Sequence, residues 1–140
     1  MEAPALTFAF EALVDIGAPV AMGETALGKR LFIPIVGGRF EGPDIAGEVI
    51  PGGADWQTVR PDGCTLIEAV YALRAADGAV IAVHNRGLVD PQAPGLVRTT
   101  PVFDAPRGPH DWLNRSVFVG TLAIANRERT TVRLRFFKVA

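Results

Sequence analysis

The side chains that could do chemistry in this sequence are few, because several reactive residue types are nearly absent. The chain has one cysteine, Cys64, and two histidines, His84 and His110, which are far apart. A single cysteine excludes an internal disulfide and any multi-cysteine metal site, and the histidine spacing predicts no metal site either. The only serine, Ser116, lacks the Gly-x-Ser-x-Gly setting of a serine hydrolase. Any catalysis must therefore use carboxylate, phenol, amide or guanidinium groups.

Asp55 is the carboxylate that we predict to act as a general base. It follows Gly52-Gly53 and precedes Trp56, at what we expect to be a strand end near the mouth of a barrel. A carboxylate beside an indole is partly removed from water, which raises its pKa toward the range that suits a base near neutral pH. The alternative is structural, with Asp55 capping the glycine turn and Trp56 plugging the end of the barrel.

Tyr71 is the only tyrosine, and its direction depends on how residues 65–89 fold. Leu66, Val70 and Leu73 have helical spacing in a segment of helix-forming composition. Asp77-Gly78, followed by an apolar run, is typical of a hairpin instead. Propensity alone does not decide between them. We predict the hairpin, because the flanking segments are predicted strands and because of the family resemblance described below.

A three-residue turn at 76–78 fixes the register of that hairpin. It places Tyr71 opposite Val83 and Ala69 opposite Asn85, so that Tyr71 and Asn85 face the interior. A two-residue loop would pair Tyr71 with His84 instead. A buried phenol and a buried amide need hydrogen-bond partners. They either bind and polarise an oxygen of a ligand, or they belong to a satisfied network in the core.

The elements that must position these residues are short strands. The chain has 140 residues with 15 glycines and 11 prolines, 49% hydrophobic and 21% charged. This size and composition indicate one globular domain, residues 1–140, and exclude intrinsic disorder. Frequent turns and repeated alternation predict an all-β fold of eight to ten strands. Closure removes exposed edges, so an antiparallel β-barrel is the first prediction and a sandwich the second.

Charge and hydropathy narrow the expected partners. The net charge is −1, and the basic C-terminal segment alternates Arg133 and Arg135 with apolar residues, as in a strand with one solvated face. Nucleic-acid binding is therefore not predicted. The sequence opens without a signal peptide and has no apolar run of about 18 residues, so we expect no membrane span and a cytoplasmic protein. The polar outward faces of long strands predict a homo-oligomer.

Several motifs resemble those of one family. They are Gly-Gly-Arg-Phe-Glu-Gly-Pro at 37–43, Pro-Gly-Gly-Ala-Asp-Trp-Gln at 51–57, Asp-Gly-x-x-Ile-x-Val-x-Asn-x-Gly at 77–87, Arg-Thr-x-Pro-x-Phe at 98–103 and Trp-Leu-Asn-x-x-Val-Phe-Val-Gly at 112–120. In order and spacing they resemble the DUF3237 family, also called UPF0311. The resemblance implies an antiparallel β-barrel, usually oligomeric, with no metal or cofactor. Some fungal members of the family look like cofactor-free cyclases.

The predicted site comprises a catalytic pair and six substrate-binding residues. Asp55 and Tyr71 are the predicted catalytic pair, and the predicted substrate-binding residues are Phe40, Trp56, Asn85, Arg98, Trp112 and Asn114. Arg98 could pair with Asp55, hold an anionic ligand, or be an exposed strand arginine. Trp112 could instead pack a loop between subunits. Neither histidine is a predicted catalyst, since His84 faces outward and His110 lies in a turn that we expect to be exposed.

Two hypotheses for function remain. In the first, a small-molecule-binding barrel works as a cofactor-independent lyase, isomerase or cyclase on a small, oxygenated, apolar or aromatic substrate. Asp55 is the base, while Tyr71 and Asn85 stabilise negative charge on a substrate oxygen. Its pocket walls are expected to be Trp, Phe and aliphatic side chains. In the second, the protein is a non-catalytic small-molecule-binding or oligomeric structural protein. An open cavity holding Asp55 and Tyr71 would favour the first, and a barrel filled with side chains the second.

Overall fold

The computed structural model describes residues 1–140 and consists almost entirely of strands. One short 3-10 helix, Asp111–Arg115, is the exception, and no helix is long and apolar enough to cross a membrane. The nine strands are β1 (Leu6–Ile16), β2 (Val20–Thr25), β3 (Gly28–Glu41), β4 (Ala46–Val59), β5 (Thr65–Ala75), β6 (Val80–Val89), β7 (Arg98–Asp104), β8 (Val117–Ile124) and β9 (Thr131–Val139).

The sheet closes on itself. Its strand order is β1-β9-β8-β7-β6-β5-β4-β3-β2, and an additional pairing joins β1 to β3. Eight antiparallel strands therefore form the barrel, and β2 extends it as a hairpin with the first half of β3. Closure leaves no free edge among the eight barrel strands. The predicted antiparallel β-barrel of eight to ten strands is confirmed.

The hairpin at residues 65–89 has the predicted register. Tyr71 pairs with Val83, and Ala69 pairs with Asn85. Gly78 has a φ of 90°, a left-handed conformation that glycine adopts without strain. The inward residues of β5 and β6 are largely buried, while Glu68, Arg74, His84 and Arg86 are partly or fully exposed. Hairpin pairing and tertiary burial thus outweigh the helical propensity of residues 66–76.

An aromatic cluster fills one end of the barrel. Its members are contributed by five strands and are Phe10, Phe40, Phe103, Phe118 and Phe136. The ring centroids of Phe10 and Phe136 are 4.9 Å apart, and those of Phe103 and Phe118 are 5.1 Å apart in an edge-to-face arrangement. Such contacts contribute about 0.5–1.5 kcal/mol each beyond the buried area. The large rings all lie toward one end of the strands, and smaller aliphatic side chains line the other.

His110 corrects an expectation from the sequence. It was predicted to be exposed, but it is only 9% exposed. Its Nε2 lies 2.8 Å from Oδ2 of Asp77 in the β5–β6 turn. The backbone N–H of Ala79, and after it the contact with His110, lower the pKa of Asp77. The loop before the 3-10 helix is therefore fastened to the β5–β6 turn, and His110 has a structural contact there.

Candidate functional site

The end of the barrel away from the aromatic cluster contains an open cavity of about 580 Å³. This volume lies within the range of about 300–1,000 Å³ that small-molecule sites occupy. Most of the wall is aliphatic and comes from β1, β3, β8 and β9: Val14, Ile16, Ile33, Ile35, Leu122, Ile124, Val132 and Leu134. Tyr71 is the only aromatic residue of the lining. The expectation that Trp and Phe side chains line the pocket is therefore wrong, whereas the expected aliphatic side chains are present.

The polar side chains of the cavity stand together on adjacent strands. Asp55 and Gln57 are on β4, Tyr71 is on β5 and Asn85 is on β6. Asp55 and Asn85 are both paired with Ala69 of the strand between them. Because Ala69 has only a methyl group, nothing larger separates the two polar side chains along that row. Tyr71 is the next inward residue along β5. The wall thus brings a carboxylate, a phenol and two amides to one patch.

Contrary to the prediction from the sequence, the glycines before Asp55 do not mark the end of a strand. Gly52 and Gly53 lie within β4, where the pairing with β5 shifts between Ile50 and Ala54. A side chain on Gly53 would meet the Cβ of Tyr71 at 2.5 Å, closer than real Cβ atoms approach. Glycine therefore allows the bulged β4 backbone to lie against Tyr71. Asp55 stands just after this bulge, inside the barrel rather than at a strand end.

The Asp55 carboxylate has one engaged oxygen and one unengaged oxygen. Nε2 of Gln57 donates a hydrogen bond to Oδ2 at 2.8 Å. Oδ1 is buried and has no hydrogen-bond partner in the chain. Burial raises the pKa of Asp55, and hydrogen bonding from Gln57 and then from the backbone of Glu68 opposes that rise. A desolvated carboxylate with a raised pKa and a free oxygen has the properties of a general base.

Tyr71 and Asn85 offer hydrogen-bonding atoms to the same space. The Tyr71 hydroxyl and Oδ1 of Asn85 are buried without a partner in the chain. Burial, and then the charge of Asp55, raise the pKa of the Tyr71 phenol, so the hydroxyl stays protonated at neutral pH and can donate. An unsatisfied buried polar group costs about 1–3 kcal/mol. These atoms have no partner within the chain, so they are available to bind a molecule that enters the cavity.

Trp56 does not reach this cavity. It is adjacent to Asp55 on β4, and successive residues of a strand face opposite sides of the sheet. Its side chain is 37% exposed and packs against Phe32 on the outer face, with ring centroids 4.7 Å apart. The desolvation of Asp55 comes from the barrel interior and not from the indole.

Four further predicted substrate-binding residues lie elsewhere. Phe40 belongs to the aromatic cluster at the other end. Trp112, in the 3-10 helix, packs near Phe118 with centroids 6.1 Å apart. Asn114 is exposed and holds the backbone of Ala105 through both its Oδ1 and Nδ2 atoms. Arg98 is exposed on the outside of β7, so it neither pairs with Asp55 nor lines the cavity.

Two polar residues that line the cavity were not among the site residues predicted from the sequence. Gln57 follows Asp55 by two positions, so period-two alternation could have placed both on one face. Arg129 lies in the turn between β8 and β9 and lines the mouth of the cavity. Its sequence setting is that of an ordinary polar turn and gives no signal. No cluster of three or more His, Cys, Asp or Glu side chains is placed to hold a metal ion.

The family model described as "protein of unknown function (DUF3237)" matches residues 4–139. The chain belongs to the DUF3237 family. A UPF0311 protein of Bradyrhizobium diazoefficiens is 37% identical over 131 residues, which cover 83% of this chain and 86% of the relative. DUF3237 membership confirms the resemblance read from the sequence motifs.

Solved structures show the same barrel. A conserved protein of unknown function from Rhodopseudomonas palustris is similar with a TM-score of 0.89 and 31% identity, covering 100% of both chains. A protein from Penicillium herquei, described as an enzyme, is similar with a TM-score of 0.81 and 25% identity, covering 100% of this chain and 97% of its own. The DUF3237 barrel is thus shared by proteins of unknown function and by one described as an enzyme.

Proposed function

We propose that the protein binds a small apolar molecule carrying an oxygen function and transfers a proton on it without a cofactor. Asp55 is the base, and Tyr71 and Asn85 hold the oxygen on which negative charge develops. The reaction class is that of a lyase, isomerase or cyclase. The observation that carries this proposal is the pair of partnerless buried atoms that suit a base and a donor, Oδ1 of Asp55 and the Tyr71 hydroxyl, in the polar wall of an otherwise aliphatic cavity. Asn85 lies in the same wall, where its Oδ1 can accept a hydrogen bond from a ligand and its Nδ2 is the group that would donate one.

The proposed step needs only these residues and the substrate. Oδ1 of Asp55 takes a proton from a carbon next to a carbonyl group. The electron pair of the broken C–H bond forms the enolate, and its oxygen accepts hydrogen bonds from the Tyr71 hydroxyl and from the Nδ2–H group of Asn85. The protonated Asp55 then returns the proton to a different atom of the substrate. A positioned base contributes about 10²- to 10⁴-fold, and a donor to the developing oxyanion about 10²- to 10³-fold.

The open cavity supports a small-molecule-binding role over a purely structural one. A barrel filled with side chains favours a structural role, whereas only the aromatic end of this barrel is filled. The description of the similar Penicillium herquei protein as an enzyme supports catalysis in the same fold. Non-catalytic binding in this cavity is the remaining alternative, and it predicts that Asp55 is dispensable for any chemistry.

The experiment is deuterium exchange at the acidic CH₂ of 2-tetralone, a small apolar ketone, followed by NMR in D₂O. We expect the protein to accelerate exchange above buffer, and Asp55→Asn to lower the acceleration by about 100-fold or more. Tyr71→Phe should cost less, because it removes one hydrogen bond and keeps the base. Asp104→Asn, which replaces an exposed carboxylate on β7, is the matched control. It should accelerate the exchange of 2-tetralone as the wild type does. Equal exchange by Asp55→Asn and wild type would contradict the proposal.

A further inference from the structure

The cavity has a negatively charged residue on its inner wall and a positively charged one at its opening. Asp55 and Arg129 are the only charged residues of its lining. Asp55 lies on the inner polar wall, and Arg129 lies in the turn after β8, where the cavity opens. A negative group inside and a positive group at the entrance give any charged ligand one preferred orientation.

Arg129 is held in place by its turn. It is the only non-glycine residue with a positive φ, 58°, a conformation that is uncommon for such a residue. Oδ1 of Asn126 accepts hydrogen bonds from the backbone N–H groups of Thr130 and Thr131 at 3.0 and 3.1 Å. Nδ2 of Asn126 donates to the Thr130 hydroxyl at 2.8 Å. The backbone that carries the guanidinium is therefore fixed before any ligand arrives.

The Arg129 guanidinium also has no acidic partner in the chain. Seven ion pairs are present, and none includes Arg129. Arg133 and Arg135, in the following strand, both bind Glu11. An arginine that lines a cavity without a counter-ion can form a bidentate, charge-assisted contact with a carboxylate.

We propose that the substrate is an amphipathic acid, whose anionic group binds Arg129 while its apolar body fills the cavity. A carboxylate cannot occupy the inner wall, because burial without a cation is costly and Asp55 would repel it. The inner end of the substrate is therefore neutral and oxygenated. The position of that inner end rests on the proposed function, whereas the contact with Arg129 does not.

The test compares two fluorescent probes, 2-naphthol and 6-hydroxy-2-naphthoate, which differ by one carboxylate at the far end of the ring system. We expect the acid to bind the wild type about 3- to 10-fold more tightly at low salt, a partly exposed contact being modest in strength. Arg129→Asn should abolish this preference and leave the affinity for 2-naphthol unchanged. Asparagine is chosen because it tolerates a positive φ.

The control is Arg127→Asn in the same turn, because Arg127 is exposed, as Arg129 is, but does not line the cavity. It should keep the preference for the acid. The proposal is overturned if neither probe binds, if the acid binds no better than 2-naphthol, or if Arg127→Asn loses the preference as Arg129→Asn does. The two proposals can fail separately. If Arg129→Asn loses the preference for the acid but Asp55→Asn exchanges 2-tetralone as fast as the wild type, the anion site at Arg129 stands and the role of Asp55 as base is rejected.

Discussion

Gln57 donates a hydrogen bond to Oδ2 of Asp55 at 2.8 Å, and this contact leaves Oδ1 as the free oxygen of the carboxylate. The two residues are two positions apart on β4, so both face the cavity. The contact fixes the rotation of the carboxylate and moderates the pKa rise that burial causes. Gln57 is thus a positioning residue for the proposed base.

Replacing Gln57 by leucine removes this donor while keeping a side chain of similar size. We expect the pKa of Asp55 to rise above its wild-type value, because desolvation is then less opposed. The measurement is a ¹³C NMR titration of the Asp55 carboxyl, assigned by its absence in Asp55→Asn. Gln92→Leu, the same change at the only other glutamine, should leave the titration unchanged. A pKa that falls or stays constant in Gln57→Leu would contradict the assigned role.

Asp55→Asn should raise stability at neutral pH. The pKa of Asp55 is higher in the folded chain than in the unfolded one. Between those two values the folded state binds more protons, so wild-type stability falls as pH rises through this window. Asparagine does not ionise, so the variant does not lose stability over this pH range. Its higher unfolding midpoint in urea should persist at pH 7 and shrink toward zero below about pH 3.9, the ordinary pKa of aspartate. A variant less stable than wild type at pH 7 would contradict this.

Ala69→Val should close the space between Asp55 and Asn85. Ala69 pairs with both residues and lines the cavity, and valine is favoured in strands. We expect the affinity for 2-naphthol to fall by about 5- to 150-fold, since methyl groups forced against a well-packed neighbour typically cost about 1–3 kcal/mol. Ala72→Val, on the outward side of the same strand where Ala72 pairs with Ala82, should bind as the wild type does. Unchanged binding by Ala69→Val would place the ligand elsewhere.

The protein is expected to be a homo-oligomer. Its outer face carries exposed apolar residues beside charged ones, including Val70 and Val102, which flank His84 on neighbouring strands. Such mixed faces suit self-association. Light scattering at micromolar concentration should give a multiple of the 14.9 kDa chain mass. A monodisperse monomer across that concentration range would show this expectation to be wrong.

Local signals in the sequence were sufficient to predict the strands and the register of the β5–β6 hairpin. Asp77-Gly78 fixes a turn within a few residues, so the inward positions of Tyr71 and Asn85 follow from counting along two adjacent strands. The cavity wall that these residues share with Asp55 requires only the neighbouring strand β4. These parts of the site depend on short-range geometry.

The other predicted site residues depended on long-range geometry, which the sequence does not show. Phe40 faces inward as a strand aromatic should, but closure of β1 against β3 places it at the filled end of the barrel. Trp56 is adjacent to Asp55 in sequence and on the opposite side of the sheet in space. Arg129 reaches the cavity only because the β8–β9 turn lies at its mouth. Which end of a barrel a residue occupies is decided by closure.

The most direct test of the account is a crystal structure of the protein soaked with 2-naphthol, whose shape and oxygen resemble the enol of 2-tetralone. We expect the naphthol oxygen within hydrogen-bond distance of the Tyr71 hydroxyl and the Asn85 amide, with the ring among the aliphatic residues and Oδ1 of Asp55 facing carbon 1. Asp55, Tyr71 and Asn85 would then contact a single ligand. A naphthol bound with its oxygen toward the mouth, or bound outside this cavity, would contradict the central claim.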